Sequence, residues 1–391
     1  MEKEKRLNRG LRFYAIFSMI VTTLLLAFII LNLSSIGRMA QVVFLIKTQA
    51  LQKVSASQLI DGSSAGMVSA LKDPYSTYMD PDVYKSLNQN IKGTYGGVGL
   101  VVTQEDDNRL IVVSAFKGTP AYKAGILSGD WIVKIDGEDT TKLTLEEAAH
   151  KMQGEPGTKV TLSIWREGET SIKDYVIERE NINVPSVEGQ MLSQNKDIAY
   201  ISITQFGEKT GVDFKNTLQE LQAQGMKGLI LDLRNNGGGL LTSALEVASY
   251  LIPEGPIVHI VDNSRTQTYE APGGNLEIPL VVLVNKGSAS ASEIVSGAIK
   301  DTKAGVLVGE TTFGKGLVQT VFPISGGAGV KLTTAKYLTP NKNDINKTGI
   351  EPDIKVEIPD QLEQEVMLTS PNEEKDPQLI KAIEVIRQQL K

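Results

Sequence analysis

Cysteine is absent from this 391-residue chain, and histidine and tryptophan occur only twice each. Without cysteine there are no disulfides, no thiolate nucleophiles and no cysteine-bearing zinc sites, so the fold is held by packing alone; the redox compartment stays undecided. Two histidines, His150 and His259, leave little for zinc chemistry. A basic stripe is missing as well. With a net charge of −6 and a pI near 5.3, the chain has little to displace phosphate counterions, which argues against a general nucleic-acid binder. Internal repeats and low-complexity tracts are absent too. What remains is ordinary globular composition, 41% apolar and 22% charged, in a chain long enough for two or three domains.

A long apolar run does occur, near the N-terminus. Lys3, Lys5, Arg6, Arg9 and Arg12 against Glu2 and Glu4 give the first twelve residues a charge of +3, leaving −9 for the rest. From Phe13 to Leu33, FYAIFSMIVTTLLLAFIILNL runs 21 residues without a charge, about the length that crosses a bilayer core as a helix. A cleavable signal peptide has a shorter apolar region, about 7–15 residues, followed by a small-x-small site, and SSIGRMAQ is a poor one. The pattern predicts an uncleaved transmembrane anchor. The positive flank predicts the N-terminus inside and everything after the span outside the membrane.

Residues 41–90 read as helix with breaks, with Leu59, Ile60, Met67, Val68 and Leu71 at mixed three- and four-residue spacing. From Gly93 to about Ile177 the texture changes to short β-branched runs punctuated by glycine: VGLVVT, RLIVVSAF, DWIVKIDG and KVTLSIWR. Two helical pieces interrupt them, TPAYKAGI and TLEEAAHKM, the second opening on Thr144 as N-cap ahead of two acids. Strand and helix then alternate through IAYISI, GVDFKNTLQELQAQ, GLILDL, LLTSALEVASYLI, IPLVVLV, SEIVSGAIKD and GVLVG. Continuous apolar strands joined by helices imply a largely parallel sheet covered on both faces. The end, DPQLIKAIEVIRQQLK, puts Leu379, Ala382, Ile383, Ile386 and Leu390 on one stripe and reads as a docking helix.

Three serines at alternate positions, Ser288, Ser290 and Ser292 in NKGSASASEI, follow the strand LVVLV and open a helix. Backbone N–H groups there have no internal partner and the helix dipole is positive, so a serine can attack while free amides hold the developing oxyanion. Serine also commonly just caps helices, and spacing alone does not choose among the three. A nucleophilic serine needs a base within hydrogen-bond reach. His150 lies in the helix of the β-rich segment, and His259 lies in the strand PIVHIVD with no acidic or serine motif around it. That leaves a lysine or a carboxylate, and the conspicuous lysine is Lys315 in GETTFGKGLVQT. To act as a base it must lose roughly 2–3 units from a reference pKa of about 10.4. Gly314 and Gly316 let the backbone fold tightly around it, and Phe313 and Leu317 offer an apolar wall. The same loop nearly spells the phosphate motif G-x4-G-K-[ST]. However, Gly316 has no hydroxyl for magnesium, and LVQTVFPI is strand-like where a phosphate loop runs into a helix. RNNGGGLL, Arg234 to Leu241, lacks the G-x-G-x-x-G spacing of a cofactor turn, although its helix start offers amide donors.

In order along about residues 55–391, DPYSTYMDP, YGGVGLVV, AGILSGDWIVKIDG, LDLRNNGGGLL, VNKGSASASEI, GETTFGKGLVQT and KYLTPNKNDINKTGIEPDI resemble the C-terminal processing peptidases, also called tail-specific proteases. The resemblance implies that Ser290 is the nucleophile, Lys315 the general base and Gln319 the group that orients the lysine. It implies an oxyanion hole made by the amide of Ala291 with a glycine amide of NNGGG, taken as Gly238. It also makes residues 93–177 a PDZ domain in which the amides of Gly97, Val98, Gly99 and Leu100 receive a substrate carboxylate. Successive N–H groups ahead of a strand form such an anion nest, and an extended peptide can add to the sheet edge there. One departure is Gln153 in HKMQGEPGT, where many relatives carry a basic residue.

The fold expected is an α/β protease core, a mixed and largely parallel sheet with helices, carrying an inserted β-rich PDZ domain and an N-terminal transmembrane helix. Its divisions are a basic flank and anchor at 1–34, a helical region at 35–92, the PDZ domain at 93–177 and the peptidase core at 178–391. The function expected is that of a membrane-anchored, extracytoplasmic serine endopeptidase with a Ser–Lys dyad, acting on proteins with apolar C-termini. It needs no cofactor or metal, has no nucleic-acid partner, and by analogy with relatives is a homodimer. The alternative from another class is a catalytically idle PDZ adaptor that gathers proteins at the membrane.

Overall fold

The structure, a computed structural model, describes residues 14–24 and 33–391 apart from 106, 117, 275, 360, 363–365 and 367–370. It divides into two units, residues 1–78 and residues 79–391.

The first unit corrects the expected transmembrane helix at 13–33. Residues 14–24 are helical. Residues 13 and 25–32, the rest of that span but for Leu33, lie outside the described residues. The next helix, α1 (Leu33–Gln49), interrupts its apolar positions with Arg38, Gln41 and Lys47. Among the described residues no helix is long and apolar enough to cross a membrane. Helix α2 (Ala56–Ser69) opens on a capping box in which Ser55 and Gln58 satisfy each other's backbone amides.

The second unit begins with α3 (Pro81–Lys92), capped by the Asp80 carboxylate on the Val83 amide at 2.9 Å. The β-rich segment is an insertion with paired ends. The chain enters through β1 (Thr94–Gly97), and the strand by which it leaves, Glu180–Asn183, pairs antiparallel with it. Between them β2 (Leu100–Gln104), β3 (Leu110–Ala115), β4 (Trp131–Ile135), β5 (Lys159–Trp165) and β6 (Lys173–Glu178) form one antiparallel sheet in that order. Helix α4 (Leu145–Met152) has Thr144 as its N-cap, with Glu147 completing a capping box. Leu110, Val112, Ile132, Ile135, Leu162 and Ile164 fill the core of this sheet. The exit strand Glu180–Asn183 is β7.

The remaining chain builds a six-stranded sheet from β8 (Val187–Met191), β9 (Ile198–Ile203), β10 (Gly228–Asp232), β13 (Leu280–Val284), β14 (Val306–Gly309) and β17 (Ile354–Lys355). Only β8 runs antiparallel, on the edge beside β9. Alternate residues of its strands feed two cores, as the two-residue period of a strand requires. Ala199, Ile201, Leu229, Leu231 and Val282 pack against the helices α5 (Thr210–Ala223), α6 (Leu241–Leu251) and α7 (Ala291–Asp301). Ile198, Tyr200, Ile230, Val281 and Leu283 face the C-terminal helix α8 (Pro377–Gln389), which buries Leu379, Ala382, Val385 and Ile386 against them. A second, antiparallel sheet, which the sequence reading did not separate from the first, runs in the order β15 (Leu317–Pro323), β16 (Gly329–Leu338), β11 (Gly255–Val261) and β12 (Thr266–Ala271). The loops leaving β10, β13 and β14 emerge at the carboxyl edge of the parallel strands, where open α/β sheets place their ligands.

Candidate active site

Strand β13 ends at Val284, and the chain turns through NKGSAS before α7 begins. This turn is stitched to the loop after β10. The Asn285 side chain accepts from the Asn235 amide at 2.8 Å and donates to the Asn235 side chain at 2.8 Å. The three serines, equivalent by sequence, differ sharply in place. Ser288 is fully buried and its hydroxyl donates to the Leu233 carbonyl at 2.8 Å. Ser292 is fully buried and donates to the Asn236 carbonyl at 2.8 Å. Ser290 is half-buried and occupies the N-cap of α7 with φ 56° and ψ −112°. A non-glycine residue held there costs on the order of 1–3 kcal/mol and needs surroundings that enforce it.

The amide of Ala291, in the first turn of α7, has no acceptor among the described residues. Gly238 comes against the same turn: a β-carbon on it would lie 2.8 Å from the Ser290 Cβ and 3.0 Å from the Ala291 nitrogen. Its φ of 103° also favours glycine. The Gly238 amide itself donates to Asn236 Oδ1 at 2.9 Å.

Lys315 stands two residues before β15 and is half-buried. Burial pushes its ammonium below the ordinary lysine value. The nearby charge of Lys331, on β16, acts in the same direction, and Glu293 opposes both. The flanking glycines serve a close approach of backbone. A β-carbon on Gly314 would meet the Gly349 nitrogen at 2.7 Å, and one on Gly316 the Asn346 nitrogen at 2.8 Å. Phe313, expected as part of an apolar wall, is 56% exposed. Gln319 lies within β15 and its amide donates to the Leu317 carbonyl at 3.3 Å.

The residue that sequence reasoning passed over is Glu293, the third residue of α7, whose side chain is fully buried. It accepts from the Ser290 and Lys315 amides at 2.8 and 2.9 Å, from the Gly314 amide at 2.7 Å and from the Thr312 hydroxyl at 2.6 Å. The one local signal was its position three residues after Ser290, the spacing of a capping box. A second buried cluster lies below the site. Arg234 donates to Asp232 and Asp376, with shortest contacts of 2.6 and 2.8 Å, and Tyr200 donates to Asp232 at 2.6 Å. Burial works against the Arg234 charge, but the two carboxylates outweigh it and push its pKa up.

Gly97 ends β1 and Leu100 opens β2; Val98, Gly99 and Leu100 form one wall of a small groove also lined by Met152 of α4 and by Gln153, and Gly97 is not among its lining residues. Among the described residues strand β2 pairs only with β3, and its Leu100 and Val102 line this groove. Gly99 has φ 83°, and a β-carbon there would run into Thr119 at 2.4 Å.

Residues 197–356 match the pattern of peptidase family S41, residues 111–166 that of a PDZ domain, and residues 30–83 that of the N-terminal domain of the activating protease CtpB. The chain is 40% identical over 318 residues to the carboxy-terminal processing protease CtpA of Bacillus subtilis, covering 81% of this chain and 67% of that one. It is likewise 40% identical over 322 residues to the carboxy-terminal-processing protease of Bartonella bacilliformis, covering 80% and 73%. Among solved structures, a Bacteroides fragilis chain described as an S41 protease superposes with a TM-score of 0.57 at 17% identity, covering 86% of this chain and 92% of that one. That last likeness concerns the fold.

Proposed function

The chain belongs to the C-terminal processing peptidases and is a serine-type peptidase, and from that premise we propose that it cleaves polypeptides with a Ser290–Lys315 dyad after engaging their free C-termini. The observation that carries the reading is Ser290 itself. It is the accessible serine of three, in a strained backbone at a helix start, with the Lys315 backbone tied to the same turn through Glu293. In the proposed reaction the Ser290 hydroxyl attacks a peptide carbonyl while neutral Lys315 takes its proton, and the resulting ammonium protonates the leaving amine. Water then releases the acid from the acyl-enzyme. The Ala291 amide is the proposed donor to the oxyanion. For Gly238 to serve as the second donor, its amide must first leave Asn236. Gln319 is the proposed orienting group for the lysine.

Gly238→Ala tests the approach of the two loops. The added methyl group meets Ser290 and Ala291 directly, and turnover is expected to fall by about 10²-fold, the scale of an ångström of misplacement. Turnover within about threefold of the parent would show that this contact does not shape the site.

The functional test uses one unstructured protein in three forms, with a free apolar tail, an amidated tail and a terminal aspartate. Amidation removes the charge that the amides of residues 97–100 would receive, and aspartate places a second anion in an apolar groove. The parent is expected to cleave the first form fastest, and Ser290→Ala to cleave none of them. Equal rates on all three would remove the tail-binding role, and cleavage by Ser290→Ala would remove the nucleophile.

A further inference from the structure

We propose that Glu293 is the positioning residue of this site, a single buried carboxylate that fixes the backbone of the nucleophile and the backbone of the base relative to each other. The inference rests on the Ser290–Lys315 reading above. A glutamate in the first turn of a helix is ordinarily a cap, and a cap needs only its own N-terminus. Here Oε2 does that work on the Ser290 amide at 2.8 Å, and also accepts from the Lys315 amide at 2.9 Å. The other oxygen, Oε1, accepts from the Gly314 amide and the Thr312 hydroxyl. Four donors fill the lone-pair positions of one carboxylate, and three of them come from a loop about twenty residues further on.

The consequence is geometric. The left-handed backbone of Ser290 is anchored through its own N–H, and the same oxygen anchors the residue that carries the proposed base. Tyr337 of β16 closes the arrangement by donating to the Ser290 carbonyl at 3.1 Å and lying 3.4 Å from Oε2. Thr312 is fixed in turn, because its hydroxyl accepts from the Ile350 amide at 2.7 Å.

Charge separates this role from mere packing. Facing Lys315 are Glu293 from α7 and Lys331 from β16, with the phenol of Tyr337 beside the glutamate. Burial and Lys331 favour the neutral lysine and Glu293 favours the ammonium, so removing the Glu293 charge lets Lys315 deprotonate at lower pH.

The experiment compares four variants of the full chain with the parent on the free-tailed substrate, recording kcat and KM across pH and thermal unfolding. Glu293→Gln keeps the shape but loses the charge and an acceptor oxygen. Its kcat is expected to fall about 10²-fold with KM little changed, and its acid limb to move to lower pH. Thr312→Val keeps the charge and removes one donor; its kcat is expected to fall about tenfold with the acid limb in place. Ser290→Ala and Lys315→Ala are expected to be inactive in the same assay. If these two are inactive while Glu293→Gln stays within twofold of the parent, or loses rate with its limb unmoved, Glu293 is not the positioning residue and the dyad stands. If Ser290→Ala retains activity, both readings fall. If Glu293→Gln does not fold, Thr312→Val decides, and a kcat within twofold of the parent overturns the proposal.

Discussion

Lys315→Arg is expected to be as inactive as Lys315→Ala, with turnover down by the 10²–10⁴-fold that losing a general base costs. Arginine keeps the length and the positive charge, so a lysine that acted only through its charge would tolerate the change. A lysine that must accept a proton would not, because the guanidinium stays protonated at any working pH. The surroundings of Lys315 favour the second case: burial first, and then Lys331, press its pKa down, with Glu293 opposing. Activity in the parent should therefore rise with pH as the ammonium gives up its proton, along a limb lying below the ordinary lysine range. Turnover of the arginine variant within about tenfold of the parent would show that another group is the base. So would an acid limb near 6.5 that disappears in His259→Ala. The structure gives that histidine other employment, since its ring nitrogens lie 2.8 Å from the Thr268 hydroxyl and 3.1 Å from the Pro340 carbonyl.

The parallel strands were legible because burial on both faces leaves an unbroken apolar run, as in GLILD and LVVLV, where every residue is buried. The same logic failed for β12, TQTYEA, which is exposed along most of its length and carries no apolar signal. It was thus silent about the second sheet that β12 and β15 help to build. The apolar run at 13–33 was read from length and the absence of charge alone, and among the described residues no helix is long and apolar enough to cross a membrane. The serines show the limit most clearly. Ser288, Ser290 and Ser292 share one chemistry and one local texture, and the partners that separate them, Leu233 and Asn236, lie more than fifty residues upstream. Only the resemblance to a family picked out the middle one. Glu293 and Asp376 escaped for the same reason: each looks like a local helix cap until its distant donors are known.

Arg234→Met is expected to destabilise the peptidase core by about 3–5 kcal/mol, the cost of removing one partner from a buried ion cluster. The Arg234 side chain is 1% exposed and is the cation between Asp232, at the end of β10, and Asp376, at the start of α8. Methionine matches it in apolar bulk but leaves Asp232 and Asp376 both buried without it, and leaves the Gln378 side chain without the donor it accepts from at 3.1 Å. The loss should therefore exceed that of an equivalent surface pair, and the molecule supplies one for comparison. Arg387 makes a two-bonded contact to Asp197 at 2.7 and 2.8 Å, but with side chains 39% and 33% exposed. There water replaces much of what is lost, and Arg387→Ala should cost about 1 kcal/mol or less. Urea unfolding of both variants decides the matter, and equal losses would mean that burial is not what gives the Arg234 cluster its weight. The position of the cluster adds a functional consequence. Asp376 caps α8 through the Gln378 and Leu379 amides, and Arg234 leads directly into Asn235, Asn236 and Gly238, the residues that hold and approach the Ser290 turn. A chain that loses Arg234 should therefore lose the docking of its C-terminal helix and the placement of its nucleophile together, and turnover should fall even at temperatures where the core remains folded.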